Sequence, residues 1–483
     1  MSAAVTWNAS RRRQPHRAAP RADLPIISQT ATRSIPHDPL NKIRTTLWMA
    51  FYNLIAIPFL FVVLHLLVWL AGNTRAGAKI KQGKQGRKNV FAELERQLRA
   101  CTTAGPAVWV HASSMGECEQ AKPLLREIGR RFPQAVRVLT IFSPSAQKHL
   151  SSPDMPAEAT CYLPLDTLPQ VRRFLDLVQP VASIVIRHDY WPNFVWQAQG
   201  RGIFLLLADA SVSANARTKR FWPGVRSFHR EVLANFDLIG AVSPQTAEYL
   251  RPLLRHPERV RVLGDTRFDQ VLYRTQNADL SKILPEKWRA HTPIFVAGST
   301  WPSDEEVLLP TFAQARRQLP DLKMILVPHE PRPNHLLEIE QALASLQLSC
   351  ARLSQANSTS SVEVLLVDRV GVLAELYGAG EMAFVGGSFG PGVHSVLEAA
   401  AHGIPVLFGP RMTNSAEAIE MKELGIGRVI ENVEDCRRAL LALLQNQPLR
   451  QALGEKNRAF VASKAGAAPR LVDLLQPLLG KHE

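Results

Sequence analysis

Cysteine is scarce in this sequence of 483 residues. There are five, Cys101, Cys118, Cys161, Cys350 and Cys436, with no CxxC and no Cys/His cluster at metal-ligand spacing. That excludes a disulfide framework and a structural zinc site, and it fits a reducing compartment. The 27 glycines and 34 prolines are too few and too scattered for a collagen-like or low-complexity chain. No GxxxxGK[ST] occurs, and no GxGxxG follows the first strand, so P-loop and dinucleotide readings lose ground. HExxH is missing, which leaves a zinc metalloprotease without its metal site. DxD is missing too, which disfavours a metal-dependent sugar transferase of the single-domain type. No repeat with a period of 20–50 residues is present.

Acidic residues are sparse at one end. Residues 1–100 hold 16 Lys and Arg against only Asp23, Asp38, Glu93 and Glu95, so +12 of the chain's net +15 lies there. A basic excess confined to one end does not describe a nucleic-acid-binding domain. Between Arg44 and Arg75 there is no charged residue at all. The run Leu47–Gly72 exceeds the roughly 20 apolar residues a bilayer-spanning helix needs. Trp48, Tyr52 and Trp69 sit near its ends, at headgroup depth. A signal peptide has a shorter apolar region and a shorter lead. Arg75, Lys79, Lys81, Lys84, Arg87 and Lys88 follow the run and outnumber the cations before it, which places the C-terminal bulk in the cytoplasm. The same cluster attracts anionic headgroups at about 1 kcal/mol per charge. The expected organisation is a disordered basic tail over 1–44, a transmembrane anchor over 45–74 and a basic juxtamembrane segment over 75–89.

From about residue 90 short apolar runs alternate with helical stretches, the signature of parallel sheets built from βα units. The first series comprises AVWVHAS, VRVLTIFS, VASIVIR, GIFLLLADA, FDLIGAVS and VRVLGDTRFD. The second comprises PIFVAGS, KMILVPHE, VEVLLVD, EMAFVGGS, IPVLFGP and RVIE. Residues 276–292 read as a linker between an N-terminal domain over 90–275 and a C-terminal domain over 293–483. The fold class is α/β, with two doubly wound domains and a cleft between them, and ligands bind at the C-terminal strand ends of such sheets.

Four clusters fall at those ends. In HASSMGE, Gly116 permits close backbone approach and Glu117 enters the first turn of a helix. The helix terminus favours its ionised form, as suits a carboxylate that takes a proton from a hydroxyl. In FVGGSFGPGVHSVLE, a strand ends in a glycine-rich turn at Gly387 and His394, and a helix is expected to begin near Ser395. Its N-terminus offers an anion site, and Glu398 one turn in can hold ribose hydroxyls. Ser299 and Thr300 end another strand, and Pro328 and His329 a fourth. A first-turn carboxylate also serves as a plain cap, and a glycine-rich turn also serves packing, so these residues alone leave both readings open.

Seven motifs in order, HASSMGECEQ, SPSAQKHL, DYWPN, GDTRFD, AGSTWPSDEE, VPHEP and FVGGSFGPGVHSVLEAAAHGIPVLFGP, make the chain resemble the Kdo (3-deoxy-D-manno-octulosonic acid) transferases of lipopolysaccharide assembly. The likeness runs from about Leu47 to the C-terminus. It is nearest a branch with GDTRFD and PHE in place of GNLKFD and PRHPER. The resemblance implies a GT-B fold of two Rossmann-like domains facing across a cleft, with an N-terminal transmembrane helix. It further implies a single-pass protein of the bacterial inner membrane with a cytoplasmic active site. The implied reaction is inverting transfer of Kdo from CMP-Kdo to a hydroxyl of the lipid A precursor, with no cofactor, no required metal and no nucleic-acid partner.

By that resemblance Glu117 is the general base. Asp189 matches the second acid of an ExELWPN motif whose first acid is here Arg187, and Arg267 replaces a lysine that stabilises developing charge. The CMP contacts fall on Pro328 and His329, on Val370, Gly371 and Val372, and on Ser395, Val396, Leu397 and Glu398. Arg187 or Arg217 would meet the phosphates of the acceptor. Two rival readings stand beside this one: a transferase of the same architecture with another nucleotide sugar and lipid, and an inactive membrane-tethered binding protein.

Overall fold

Runs rich in valine, isoleucine and leucine, such as PVASIVI, form strands buried on both faces, because parallel strands are covered by helices on either side. The computed structural model describes residues 39–70, 74–150, 152–212, 223–254, 256–288, 293–355 and 362–480. Residues 1–38 of the expected tail, and Arg217, lie outside them. Pro39 to Arg44, expected in that tail, begin a helix.

Two seven-stranded sheets result, every pairing parallel. The first has β1 (Ala107–His111), β2 (Val136–Ile141), β3 (Ala159–Tyr162), β4 (Pro180–Ile186), β5 (Phe204–Ala210), β6 (Leu238–Ala241) and β7 (Val260–Val262), in the order β3-β2-β1-β4-β5-β6-β7. The second has β8 (Ile294–Thr300), β9 (Lys323–Pro328), β10 (Cys350–Arg352), β11 (Val364–Leu366), β12 (Met382–Val385), β13 (Val406–Phe408) and β14 (Gly427–Val429), in the order β10-β11-β9-β8-β12-β13-β14. The order in which the chain adds strands reverses between β1 and β4 and between β8 and β12. Doubly wound sheets take ligands in these crevices.

The chain crosses between the domains twice. Helix Thr266–Gln276 leaves the first sheet, yet its Phe268 and Val271 pack in the second core. Trp288 and Leu284, in the expected linker, are buried there as well. At the other end the second domain does not extend to residue 483 as expected. Ala468, Leu471, Val472, Leu475 and Leu479 return to the first core. Asp269 joins the two crossings, accepting the N–H groups of Gly466 (2.8 Å) and Ala467 (3.0 Å).

The apolar run forms helices Pro39–Phe51 and Ile57–Leu70, joined by a π-helical turn over Tyr52–Ala56. Pro58 lacks a donor and would break a regular ladder. The wider turn absorbs the mismatch, with the Ile57 N–H bonded back to the Tyr52 carbonyl. By length and composition Ile43–Val63 suffices to cross a membrane. Its first half is docked on the first domain. Arg44 pairs with Glu231 at 2.6 Å, and the Tyr52 hydroxyl donates to Asp166 at 2.8 Å. The Asn53 and Asn193 amides exchange bonds of 2.9 and 2.8 Å, and Trp48 packs edge-on against Phe228. Leu54, Phe59, Leu60, Val62 and Trp69 remain exposed.

Candidate active site between the two sheets

Strand β1 delivers His111 to the C-terminal edge of the first sheet, and the helix Met115–Arg131 starts four residues later. Glu117 stands at the third position of that helix. Its carboxylate reaches back to the N–H groups of Ser113 (2.6 Å) and Ser114 (3.3 Å), completing a capping box. Burial pushes its pKa up, the bond from Ser113 pulls it down, and the nearby Asp189 charge pushes it up again. The net direction is upward. No side chain or backbone crowds Gly116, so the approach to this turn is open.

The loop after β4 supplies Asp189. His111, fully buried, bonds Thr140 Oγ1 through Nδ1 (2.9 Å) and Asp189 through Nε2 (3.1 Å). Burial raises the Asp189 carboxyl, but its bonds to His111 and Ser113 outweigh that and hold it below the usual aspartate value. Two carboxylates on adjacent loops are thus driven apart in acidity, the arrangement that separates proton acceptor from permanent anion. Arg187 sits in the left-handed region, φ 65°, and its buried Nε has no partner. Such a backbone conformation costs roughly 1–3 kcal/mol for a non-glycine residue and clusters at functional sites.

In the second domain Ser299, also left-handed at φ 53°, turns the chain at the end of β8. Its carbonyl packs so closely on Gly386 that a Cβ there would lie 2.3 Å from it. Gly387 has φ 80°, and a Cβ would meet the Gly392 carbonyl at 2.2 Å. Both glycines are therefore demanded by geometry. Asp304, fully buried, ties this loop down. It accepts N–H bonds from Gly387 (2.7 Å), Phe389 (3.0 Å) and Trp301 (2.9 Å). Thr300 is held by Glu305 at 2.8 Å. The Trp301 indole N–H donates to His394 Nε2 at 3.0 Å, and the His394 and His329 rings stack at 4.3 Å. Burial, then the neighbouring His329, lowers His394 to about 4, so it is neutral at physiological pH. These residues meet Pro328 at the joined ends of β8, β9 and β12.

Other expected positions fall out differently. The helix expected from Ser395 begins at Leu397 and is only five residues long. Gly392–Ser395 has no regular structure, and so short a helix supplies little dipole for an anion. Val396 and Leu397 bury their side chains in the second core, which leaves only their backbone to a ligand. Val370 projects into solvent at 62% exposure, Gly371 has φ 92° with open space around it, and Val372 packs on the core. Arg267 is not a free cation. It bridges Asp265 (2.7 Å) in the first domain and Glu417 (2.6 Å) in the second.

The crossing helix Thr266–Gln276 touches both domains beside these turns, and its Gln270 amide donates to Glu119 at 2.6 Å. Arg274, on the crossing helix, pairs with Glu375 at 2.8 Å and lies 3.7 Å from Glu398. Burial raises the Glu398 carboxyl, Arg274 opposes this, and the charges of Glu375 and Glu119 add to the rise. Glu119, two residues beyond Glu117, is therefore near enough across the gap to act on Glu398. The sequence reading passed over Asp304, Trp301, His111, Glu119 and Glu375. Asp304 and Trp301 lie inside the quoted AGSTWPSDEE, where a helix-capping pattern is their sole signal.

A family model described as 3-deoxy-D-manno-octulosonic-acid transferase matches residues 85–270. The transferase of that name from Rickettsia felis is 30% identical over 341 residues, covering 70% of this chain and 71% of its own length. The chain belongs to the Kdo transferase family. The Haemophilus influenzae transferase is 29% identical over 383 residues, 78% of this chain and 88% of its own. Membership makes the chain an enzyme that transfers Kdo in lipopolysaccharide biosynthesis. Among solved structures, a UDP-GlcNAc 2-epimerase from Neisseria meningitidis superposes with a TM-score of 0.57 over 77% of this chain and all of its own, at 14% identity. That likeness shows the shared two-domain fold alone.

Proposed function

We propose that the chain transfers Kdo from CMP-Kdo to a hydroxyl of the lipid A precursor with inversion at the anomeric carbon. The reading is supported by Glu117, raised in pKa on an open turn of the first domain, two residues from Glu119, whose charge acts on Arg274 and on Glu398 of the second domain. The acceptor hydroxyl attacks the anomeric carbon from one face as the bond to the CMP phosphate breaks on the other. Its proton passes to Glu117, and the bonding pair leaves with the phosphate.

Asp189, kept ionised by His111, stabilises the positive charge that develops on the sugar ring. The turn anchored by Asp304 spends its Gly387 and Phe389 N–H groups on that carboxylate, so the phosphate falls to the backbone of Ser395–Leu397 beside it. His329 and His394, stacked and exposed at one edge, offer a face to the cytosine, and Glu398 a carboxylate to the ribose. Val370–Val372 and Ser395 close the nucleotide side. Arg267 orders the closed arrangement of the domains through Asp265 and Glu417 and does not contact the leaving group. Arg187, whose Nε has no partner, meets an acceptor phosphate.

The apolar helix holds the enzyme at the inner membrane with both domains on the cytoplasmic side. The exposed Lys79, Lys84 and Lys88 meet anionic headgroups there. Purified enzyme incubated with lipid A precursor and CMP-Kdo generated in situ should yield products heavier by whole Kdo units in a mass spectrum. Transfer from another nucleotide sugar, with CMP-Kdo inert, would refute the proposal.

A further inference from the structure

A cavity of about 200 Å³ lies where the apolar helix crosses the first domain. Tyr52, Ile57 and Phe61 form one wall, and Phe142, Leu165, Thr167 and Trp191 the other, with Asp166 held by the Tyr52 hydroxyl between them. Leu60 lines it too and is 52% exposed, so the cavity opens onto the exposed apolar face of Leu54, Phe59 and Val62. An apolar space continuous with a lipid-seeking surface suits a hydrocarbon chain.

Its inner wall is made from the loops that carry the chemistry. Phe142 and Trp191 pack with ring centroids 4.7 Å apart and planes tilted by 31°. Phe142 and Ser143 donate their N–H groups to the Ser113 carbonyl at 3.3 and 2.7 Å, and the Ser113 N–H holds Glu117. Trp191 is two residues beyond Asp189. Arg87 anchors the basic segment to the same wall. It donates to the carbonyls of Phe142 and Leu163, each at 2.9 Å, and lies 4.4 Å over the Phe142 ring. The cavity, the Arg87 anchor and the turn that holds Glu117 therefore share one wall.

We infer that this cavity takes one acyl chain of the lipid acceptor, fixing the lipid so that its sugar hydroxyl meets Glu117. The inference rests on the proposed function and adds to it how the acceptor is selected. An enzyme that grips the chain prefers an acylated acceptor to the bare phosphorylated disaccharide, and a bulky residue in the cavity weakens that preference.

The test compares kcat/KM for tetraacylated lipid A precursor and for its fully deacylated disaccharide, in the wild type and in Thr167→Trp and Ile57→Trp, with melting temperatures as a check on folding. Each variant should lower the acylated-to-deacylated ratio about tenfold, the equivalent of about 1.4 kcal/mol of lost contact, through KM and not kcat. A diazirine at the end of an acyl chain of the precursor should label the peptides bearing Phe61 or Leu165 in the wild type. An unchanged ratio in both variants, or equal labelling by a diazirine phospholipid of the surrounding bilayer, overturns the inference. A wild type that transfers to neither acceptor refutes the function itself.

Discussion

Replacing Glu117 by glutamine separates its two duties. The amide keeps the length of the side chain and an oxygen that can accept the Ser113 N–H, now at 2.6 Å, so the helix start survives. It cannot accept a proton. A positioned general base contributes about 10²–10⁴-fold, or roughly 3–5 kcal/mol of barrier, and kcat should fall by that factor while the KM for CMP-Kdo holds. Alanine removes the cap as well, and capping losses run at about 1 kcal/mol. Glu117→Ala should therefore unfold earlier in urea by about that amount, whereas Glu117→Gln should not. The wild-type pH profile carries the sign of the perturbed carboxyl. Its folded pKa is raised and the ionised form is the active one, so turnover declines as pH falls through a value above the ordinary glutamate range. Initial rates of product formation across pH, with unfolding curves on the same preparations, decide the matter. Turnover of Glu117→Gln within about tenfold of wild type would sink the assignment.

Asp304→Ala leaves three N–H groups, those of Gly387 and Phe389 in the glycine-rich loop and of Trp301 at its own helix start, without their acceptor, at roughly 1–3 kcal/mol each. Stability should drop by about 3 kcal/mol or more in urea, and a drop under about 1 kcal/mol would contradict the anchoring role. For Arg267→Met combined with Glu417→Gln, a double-mutant cycle should return a coupling near 1 kcal/mol, the discount a half-exposed cation imposes. A coupling of zero would mean the bridge does not bind the domains together. Asp189 has its folded carboxyl depressed. The stability it confers is whole above the unfolded aspartate value and is lost as pH falls through the lower folded one. Asp189→Asn should flatten that acid limb of the unfolding midpoint, and an unaltered limb would show that the pairing with His111 contributes nothing.

Much of the architecture was legible because buried parallel strands announce themselves as continuous apolar runs. Six strands in each series stood out. β3 and β10 did not, since four residues after a proline-rich turn and three half-buried residues at a sheet edge carry too little pattern. Glu117 and the glycine turn were visible through their position between strand and helix. His111 was not, because a histidine ending an apolar strand looks the same whether it faces Asp189 or the core. The fate of Arg267 was likewise hidden, since its partner Glu417 lies 150 residues away and only the closed arrangement of the domains unites them. The short helix at Leu397 also misled, because LEAAA has good helix formers throughout and the preceding glycines, not the helix, set the geometry.

The double crossing between domains has a consequence for how this molecule comes into being. The first sheet cannot complete its hydrophobic interior until Leu471, Leu475 and Leu479 have left the ribosome, long after its own seven strands have emerged. A chain cut near residue 466 should therefore lose the first domain and not the second, and any rocking of one domain on the other must turn about the knot tied by Asp269.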